Sequence, residues 1–144
     1  MTRVFTILIA LAACKDSVDE ELVRRYMAKI RPDLEKAKAG LVAKNETSAV
    51  MVCSSMVNLE DIKKTDATLA VDLAQFCTRD YPLWVMRHAV DKAEAARKLD
   101  PKSTFLPDCT DLFYPQAVED LQTYGTATDE TRALEARMTA ACPK

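Results

Sequence analysis

The sequence predicts an all-α protein, a disulfide-stapled bundle of five to six helices. Along most of the chain, apolar residues recur at three- and four-residue steps, which is the spacing of one helix face. Glycine occurs only twice in 144 residues, too rarely for the many tight turns of a β-sandwich. The four cysteines Cys53, Cys77, Cys109 and Cys142 stand at spacings that suit two bonds between neighbouring helices.

The first predicted helix begins at Ser17, because Ser17 and Glu20 have the spacing of a capping box. Pro32 removes one backbone donor, but the apolar face keeps its phase on both sides, so we expect a kink at this position and no change of direction. Gly40 and Asn45 are expected to end the helix. The predicted buried face consists of Val18, Leu22, Tyr26, Ile30, Leu34, Ala37 and Leu41.

The same reasoning places five more helices. They cover about 46–64, 67–78, 82–99 and 115–124, and the last begins at Thr128 or Asp129. The segment 100–114 is the one long irregular connection. No useful run of alternating apolar and polar residues predicts a strand anywhere.

The cysteine spacing predicts the bonds Cys53–Cys77 and Cys109–Cys142. In an antiparallel helix pair, residues equidistant from the turn lie side by side. The midpoint of the first pair is residue 65, in a predicted turn, and that of the second falls beside Gly125, in another. Two other interpretations stay open: a site of four thiolates holding zinc, and buried free thiols. No C-x-x-C spacing supports the zinc site, so we predict no metal.

The first fourteen residues have the pattern of an export signal. Arg3 precedes the apolar run 4–11, and small residues follow before Cys14. The sequence Leu-Ala-Ala-Cys at 11–14 resembles the lipobox of bacterial lipoproteins. The resemblance implies that residues 1–13 are removed, that Cys14 is acylated, and that 14–144 form the mature domain. The alternative is an uncleaved hydrophobic anchor.

This resemblance also implies a location. A lipid-anchored protein of this kind faces the periplasm, and Lys15 after the acylated cysteine, in place of Asp, points to the outer membrane. Acylation of Cys14 would leave an even number of cysteines, four, for disulfides in an oxidising compartment. The formal charge of −2 and the lack of a basic cluster argue against nucleic acid as a partner.

No catalytic motif is recognisable, and we predict neither enzymatic activity nor a cofactor. His88 is the only histidine. It could serve as a general base or as a haem ligand, although no C-x-x-C-H attachment sequence is present. The simpler interpretation is a partly exposed helix histidine that stacks on Trp84, one turn away.

The stretch 105–114 of this irregular segment is the best predicted recognition surface. It contains an unusual number of apolar residues for a connection, and a disulfide at Cys109 would hold them rigid. We predict that a protein partner contacts Phe105, Leu106, Phe113 and Tyr114. The alternative is that these residues close one end of the core.

Three functions are therefore compatible with the sequence. The first is a lipid-anchored, non-enzymatic module that binds a protein partner in the envelope, as an adaptor, an inhibitor or an immunity-type factor. The second is a carrier of haem or another ligand, or an enzyme, that uses His88. The third is a structural envelope component without a discrete ligand.

Overall fold

Every regular element in the described part of the chain is helical in the computed structural model, which confirms the predicted all-α class. The structure describes residues 2–103, 106–110 and 113–142, with side chains from residue 21 onward except at 107 and 108. The α-helices are α1 Thr2–Val42, α2 Thr47–Cys53, α3 Leu59–Thr65, α4 Ala67–Gln75, α5 Tyr81–Leu99, α6 Phe113–Thr123 and α7 Asp129–Ala141. Two 3-10 segments cover Ser54–Asn58 and Pro107–Thr110, and a π-helical turn covers Phe76–Asp80.

The chain divides into two compact units. The first, Met1–Ser55, contains α1 and α2, and the second, Met56–Lys144, contains α3 to α7. No helix in the described part of the chain combines the length and the hydropathy that crossing a membrane requires.

Helix α1 begins much earlier than the sequence predicted. It runs from Thr2 through Ser17 without interruption, so the predicted helix start at Ser17 is wrong for the full-length chain. The reason is that no proline or glycine precedes Pro32, and the apolar run 4–11 continues the helix in the N-terminal direction. The helix also continues through Pro32, as expected from the unbroken phase of the apolar face.

Within the first unit, α2 packs on the C-terminal half of α1. The predicted α1 face is buried at Ile30, Leu34, Ala37 and Leu41. Its N-terminal part is not: Leu22 is 60% exposed and Tyr26 is 39% exposed, which corrects that part of the prediction. Val18 lies among the residues whose side chains are not described.

A lysine with a left-handed backbone conformation ends α1. Lys44 has φ 58°, its N–H donates to Leu41 O at 3.1 Å, and Asn45 N–H donates to Gly40 O at 2.8 Å. These two bonds form a Schellman motif. A Cβ at Gly40 would lie 2.7 Å from Asn45 O, so the glycine allows the chain to turn back closely over the helix end.

In the second unit, α3 and α4 form a hairpin around Asp66, whose Oδ1 accepts from Leu69 N–H at 2.9 Å. The apolar spacing of the predicted helix 46–64 places Leu59 or Val57 on its inward face. The buried residue on α3 is instead Ile62, and Val57 is 85% exposed. The 3-10 segment Ser54–Asn58 explains the shift. A 3-10 helix turns about 120° per residue, whereas an α-helix turns about 100°. Over five residues the difference adds up to about 100°, so the buried face shifts by about one α-helical position.

The sequence predicted two separate helices here, which is wrong. Helices α4 and α5 are continuous through the π-helical turn. Tyr81 N–H donates to Phe76 O, five residues back, and the two rings stack with centroids 6.4 Å apart. The wider turn accommodates Pro82, which has no N–H to continue an α-helical ladder.

The carbonyl of Thr78 is the group that Pro82 leaves without an α-helical donor, because residue 82 would normally supply that N–H. The hydroxyl of Thr126 donates to this carbonyl at 2.6 Å. Thr126 lies in the turn between α6 and α7, so one side chain both completes the π-helical turn and attaches the α6–α7 turn to it.

The core of the second unit lies where α5, α6 and α7 meet. The apolar spacing predicts that Leu73 of α4, Phe76 of the π-helical turn, Val90 of α5 and Met138 of α7 face inward, and all four are buried. The residues of this core are Val85, Met86, Ala89, Val90, Ala93, Ala117, Leu121, Leu134, Met138 and Ala141. This core holds α6 and α7 side by side.

We predict that Thr126→Val destabilises the protein by about 1–3 kcal/mol, because the buried Thr78 carbonyl loses its donor while the shape of residue 126 is kept. Urea denaturation measures the loss, and Thr123→Val, at an exposed position of α6, is the matched control. Pro82→Ala should reduce the cost of Thr126→Val, since it restores an N–H that can reach the same carbonyl. Equal stability of the two threonine variants would contradict the assigned role of this hydrogen bond.

Candidate functional site: the groove between the last two helices

A groove of about 590 Å³ lies between α6 and α7 and is open to solvent. Ligand sites usually have volumes of roughly 300–1,000 Å³. The residues that line the groove are Cys109, Tyr114, Pro115, Val118, Glu119, Gln122, Glu135, Met138, Thr139 and Cys142. All of them belong to the second unit, and the Cys109–Cys142 bond lies in the wall.

The two helices that form the groove are joined by a connection of defined geometry. Gly125 has φ 65°, Thr126 N–H donates to Leu121 O at 2.9 Å, and Gly125 N–H donates to Gln122 O at 3.1 Å. These bonds form a second Schellman motif, here with the expected glycine. Thr128 and Thr131 then cap the start of α7 reciprocally. The predicted cap at Thr128 is therefore present.

The predicted disulfide between Cys109 and Cys142 is present, with their Cα atoms 5.6 Å apart. It joins the 3-10 segment before α6 to the residue after α7. Cys142 Sγ also lies 3.9 Å from Met138 Sδ in the groove. Cys53 and Cys77 are each disulfide-bonded as well.

Arg97 fastens the same end of α7 from the side of α5. Its Nε donates to Ala141 O at 2.9 Å, and its Nη1 donates to Ser103 O at 2.8 Å. Hydrogen bonds from a charged donor are stronger than those between neutral groups. Arg97 thus ties the last turn of α7 to the segment that follows α5.

The two arginines of α7 form ion pairs outside the groove. Arg137 binds Asp91 at 3.0 Å and Glu94 at 2.9 Å, both on α5. These contacts raise the pKa of Arg137, and the hydrogen bond from Arg137 lowers the pKa of Glu94. Arg132, the other basic residue of α7, pairs with Asp129 on its own helix.

The groove itself is therefore acidic and apolar. Glu119 and Glu135 line it, and among the described residues that line it there is no lysine, arginine or histidine. Burial of the phenol, and secondarily the charge of Glu135, raises the pKa of Tyr114 from 10.0 to about 12. Tyr114 is therefore a neutral hydroxyl, able to donate or accept a hydrogen bond, at every physiological pH.

The predicted partner-binding residues have different positions. Phe113 begins α6 and is 58% exposed, and Tyr114 is half-buried in the groove wall. Leu106 is buried at 7% exposure, so it belongs to the core, the alternative that the sequence left open. Phe105 lies outside the described residues, and the side chain of Cys14, within α1, is also not described.

His88 stacks on Trp84 with ring centroids 4.9 Å apart. This contact agrees with the simpler interpretation, a helix histidine that stacks on a neighbouring tryptophan. Within the described residues, no group of three or more His, Cys, Asp or Glu side chains is arranged to hold a metal ion.

The sequence did not identify the groove, because the carboxylates that line it belong to two different helices. In the sequence, the adjacent pair Glu119 and Asp120 has the pattern of a solvated helix surface. A signal was nevertheless present: residues 103–131 contain six acidic residues and no basic one.

We predict that the protein loses stability as the pH rises from about 10 to about 12, and that Tyr114 causes part of this loss. Its pKa is higher in the folded state, so its contribution is fully present below the unfolded pKa and disappears through the folded one. The difference in unfolding free energy between wild type and Tyr114→Phe should therefore change over this pH range. Tyr124→Phe, at a residue 54% exposed, is the control; a pH-independent difference for Tyr114→Phe would refute the shift.

Comparison with known proteins reveals no relative: no protein-family model matches the chain, and neither a curated protein nor a solved structure is similar to it.

Proposed function

We propose that this chain is a small lipid-anchored lipoprotein of the bacterial envelope whose helical bundle binds a protein partner without catalysing a reaction. The resemblance of residues 11–14 to a lipobox supports the anchor at Cys14 and the periplasmic side of the outer membrane. Disulfide bonds at Cys53, Cys77, Cys109 and Cys142 support an oxidising compartment, where such bonds persist.

The observation on which the partner-binding proposal rests is the exposure of Phe113. A phenylalanine that is 58% exposed at the start of a helix leaves apolar surface in contact with water. It stands four residues after disulfide-bonded Cys109 and directly before Tyr114 of the groove. Such an aromatic side chain on a fixed backbone loses little conformational freedom on binding, which suits an anchor residue at an interface.

The groove extends this surface. Phe113 directly precedes the groove residues Tyr114 and Pro115 in α6, and we infer that one partner contacts both the ring of Phe113 and the groove. The partner would then meet an aromatic anchor, an apolar floor and polar groups at the rim, which is the usual anatomy of a protein interface.

We predict that a photo-crosslinking amino acid at position 113 of the full-length protein, expressed in its host envelope, gives one dominant protein adduct. The same amino acid at position 71 is the matched control, because Val71 is also well exposed, at 65%, but lies on α4. Only position 113 should give the adduct. Absence of a specific adduct at 113, or equal adducts at both positions, would contradict the proposal and favour a structural component without a discrete partner.

A further inference from the structure

We propose that the groove between α6 and α7 binds a protein segment that combines apolar side chains with lysine or arginine, the cation being placed between Glu119 and Glu135. This inference rests on the proposed function, that the chain binds a protein partner, and specifies the chemistry of that partner.

The floor of the groove requires an apolar occupant. Tyr114, Pro115 and Val118 of α6 and Met138 of α7 supply its apolar lining. A methionine can adjust its shape to different ligands because its side chain is unbranched and flexible. The volume of about 590 Å³ is sufficient for a few side chains of one segment, and too small for a folded domain.

The charge of the groove selects a cationic occupant. Glu119 and Glu135 both line it, and in the described part of the chain neither carboxylate forms an ion pair. The sequence that leads into the groove supplies no cation, since no basic residue occurs between Lys102 and Arg132. Lys144, two residues after Cys142 of the lining, lies outside the described residues. A carboxylate beside an apolar floor binds lysine or arginine more strongly than in open water, because the surroundings are less polarisable.

The arrangement of the basic residues on α7 strengthens this reasoning. Arg137 lies on the opposite side, against Asp91 and Glu94 of α5, and Arg132 pairs with Asp129. On α7, both arginines therefore form ion pairs within the protein, whereas Glu135 lines the groove. An acidic segment or an unbranched acyl chain would meet these carboxylates without compensation, so both are disfavoured occupants.

The test uses the purified full-length protein and two synthetic, fluorescein-labelled 18-residue peptides. One carries leucine and lysine at amphipathic helical spacing, and the other carries glutamate in place of every lysine. Fluorescence anisotropy should show binding of the lysine peptide and at least about tenfold weaker binding of the glutamate peptide. Affinity for the lysine peptide should fall when salt rises from about 0.05 to 0.5 M, because salt screens the ion pairs.

A pair of double variants assigns the binding to the groove. Glu119→Gln with Glu135→Gln should weaken binding of the lysine peptide by about five- to tenfold, the effect of roughly one lost ion pair. Glu60→Gln with Asp61→Asn on α3 changes the net charge equally and should leave the affinity within about twofold of wild type. Melting curves of both variants confirm that each is folded.

Three results would overturn the inference: equal affinity of the two peptides, unchanged affinity in the groove variant, or an equal loss in the α3 variant. The last result would show attraction to the general negative surface. These outcomes are separate from the crosslinking experiment at position 113. A specific adduct there combined with no preference for the lysine peptide would refute only the partner chemistry, whereas no adduct would refute the proposed function itself.

Discussion

The disulfide between Cys109 and Cys142 is the constraint on which the geometry of the second unit depends. It closes a loop of 33 residues that contains all of α6 and α7, together with the groove between them. A bond closing a loop of this length is worth about 3–4 kcal/mol when the chain-entropy description applies. Arg97 reinforces the same end of α7 through two carbonyls. At the opposite end, the hydroxyl of Thr126 attaches the α6–α7 turn to the π-helical turn. The two helices are thus fixed at both ends of the groove.

This fixed frame explains how a small domain can maintain an acidic, partly apolar groove on its surface. Interior contacts of α7 with α5 use its apolar face and Arg137, so packing does not require the groove side. The half-buried Tyr114 keeps its proton up to about pH 12, which leaves a neutral hydroxyl beside the charge of Glu135. Since the frame is held by covalent and internal hydrogen bonds, the side chains of the groove are available for recognition. The same reasoning applies to Phe113, whose ring is exposed while its backbone begins a fixed helix.

The sequence predicted the helices best where local signals and packing agree. The buried face with Leu73 of α4 and Phe76 of the π-helical turn, the cap at Thr128 and the Cys109–Cys142 bond are all present. Local rules failed where a distant contact decides the structure. The sequence predicts a break between the helices 67–78 and 82–99, but Thr126, 48 residues beyond Thr78, supplies the hydrogen bond that the continuous helix requires. The groove could not be predicted from the sequence either, because Glu119 and Glu135 line the same groove only after α6 and α7 have packed. The start of α1 was missed for another reason: the capping pattern at Ser17 competes with sixteen preceding residues that contain no helix breaker.

Mapping the cysteines in the native protein tests the central claim most directly, since both the frame of the groove and the proposed envelope location depend on their oxidation. The chain would be isolated from its host with free thiols alkylated at lysis, digested without reductant and analysed by mass spectrometry. We predict one peptide pair joined through Cys109 and Cys142, a second joined through Cys53 and Cys77, and no alkylation at these four residues. Alkylated Cys109 and Cys142 would contradict the disulfide-fixed groove and, with it, the oxidising location of the protein.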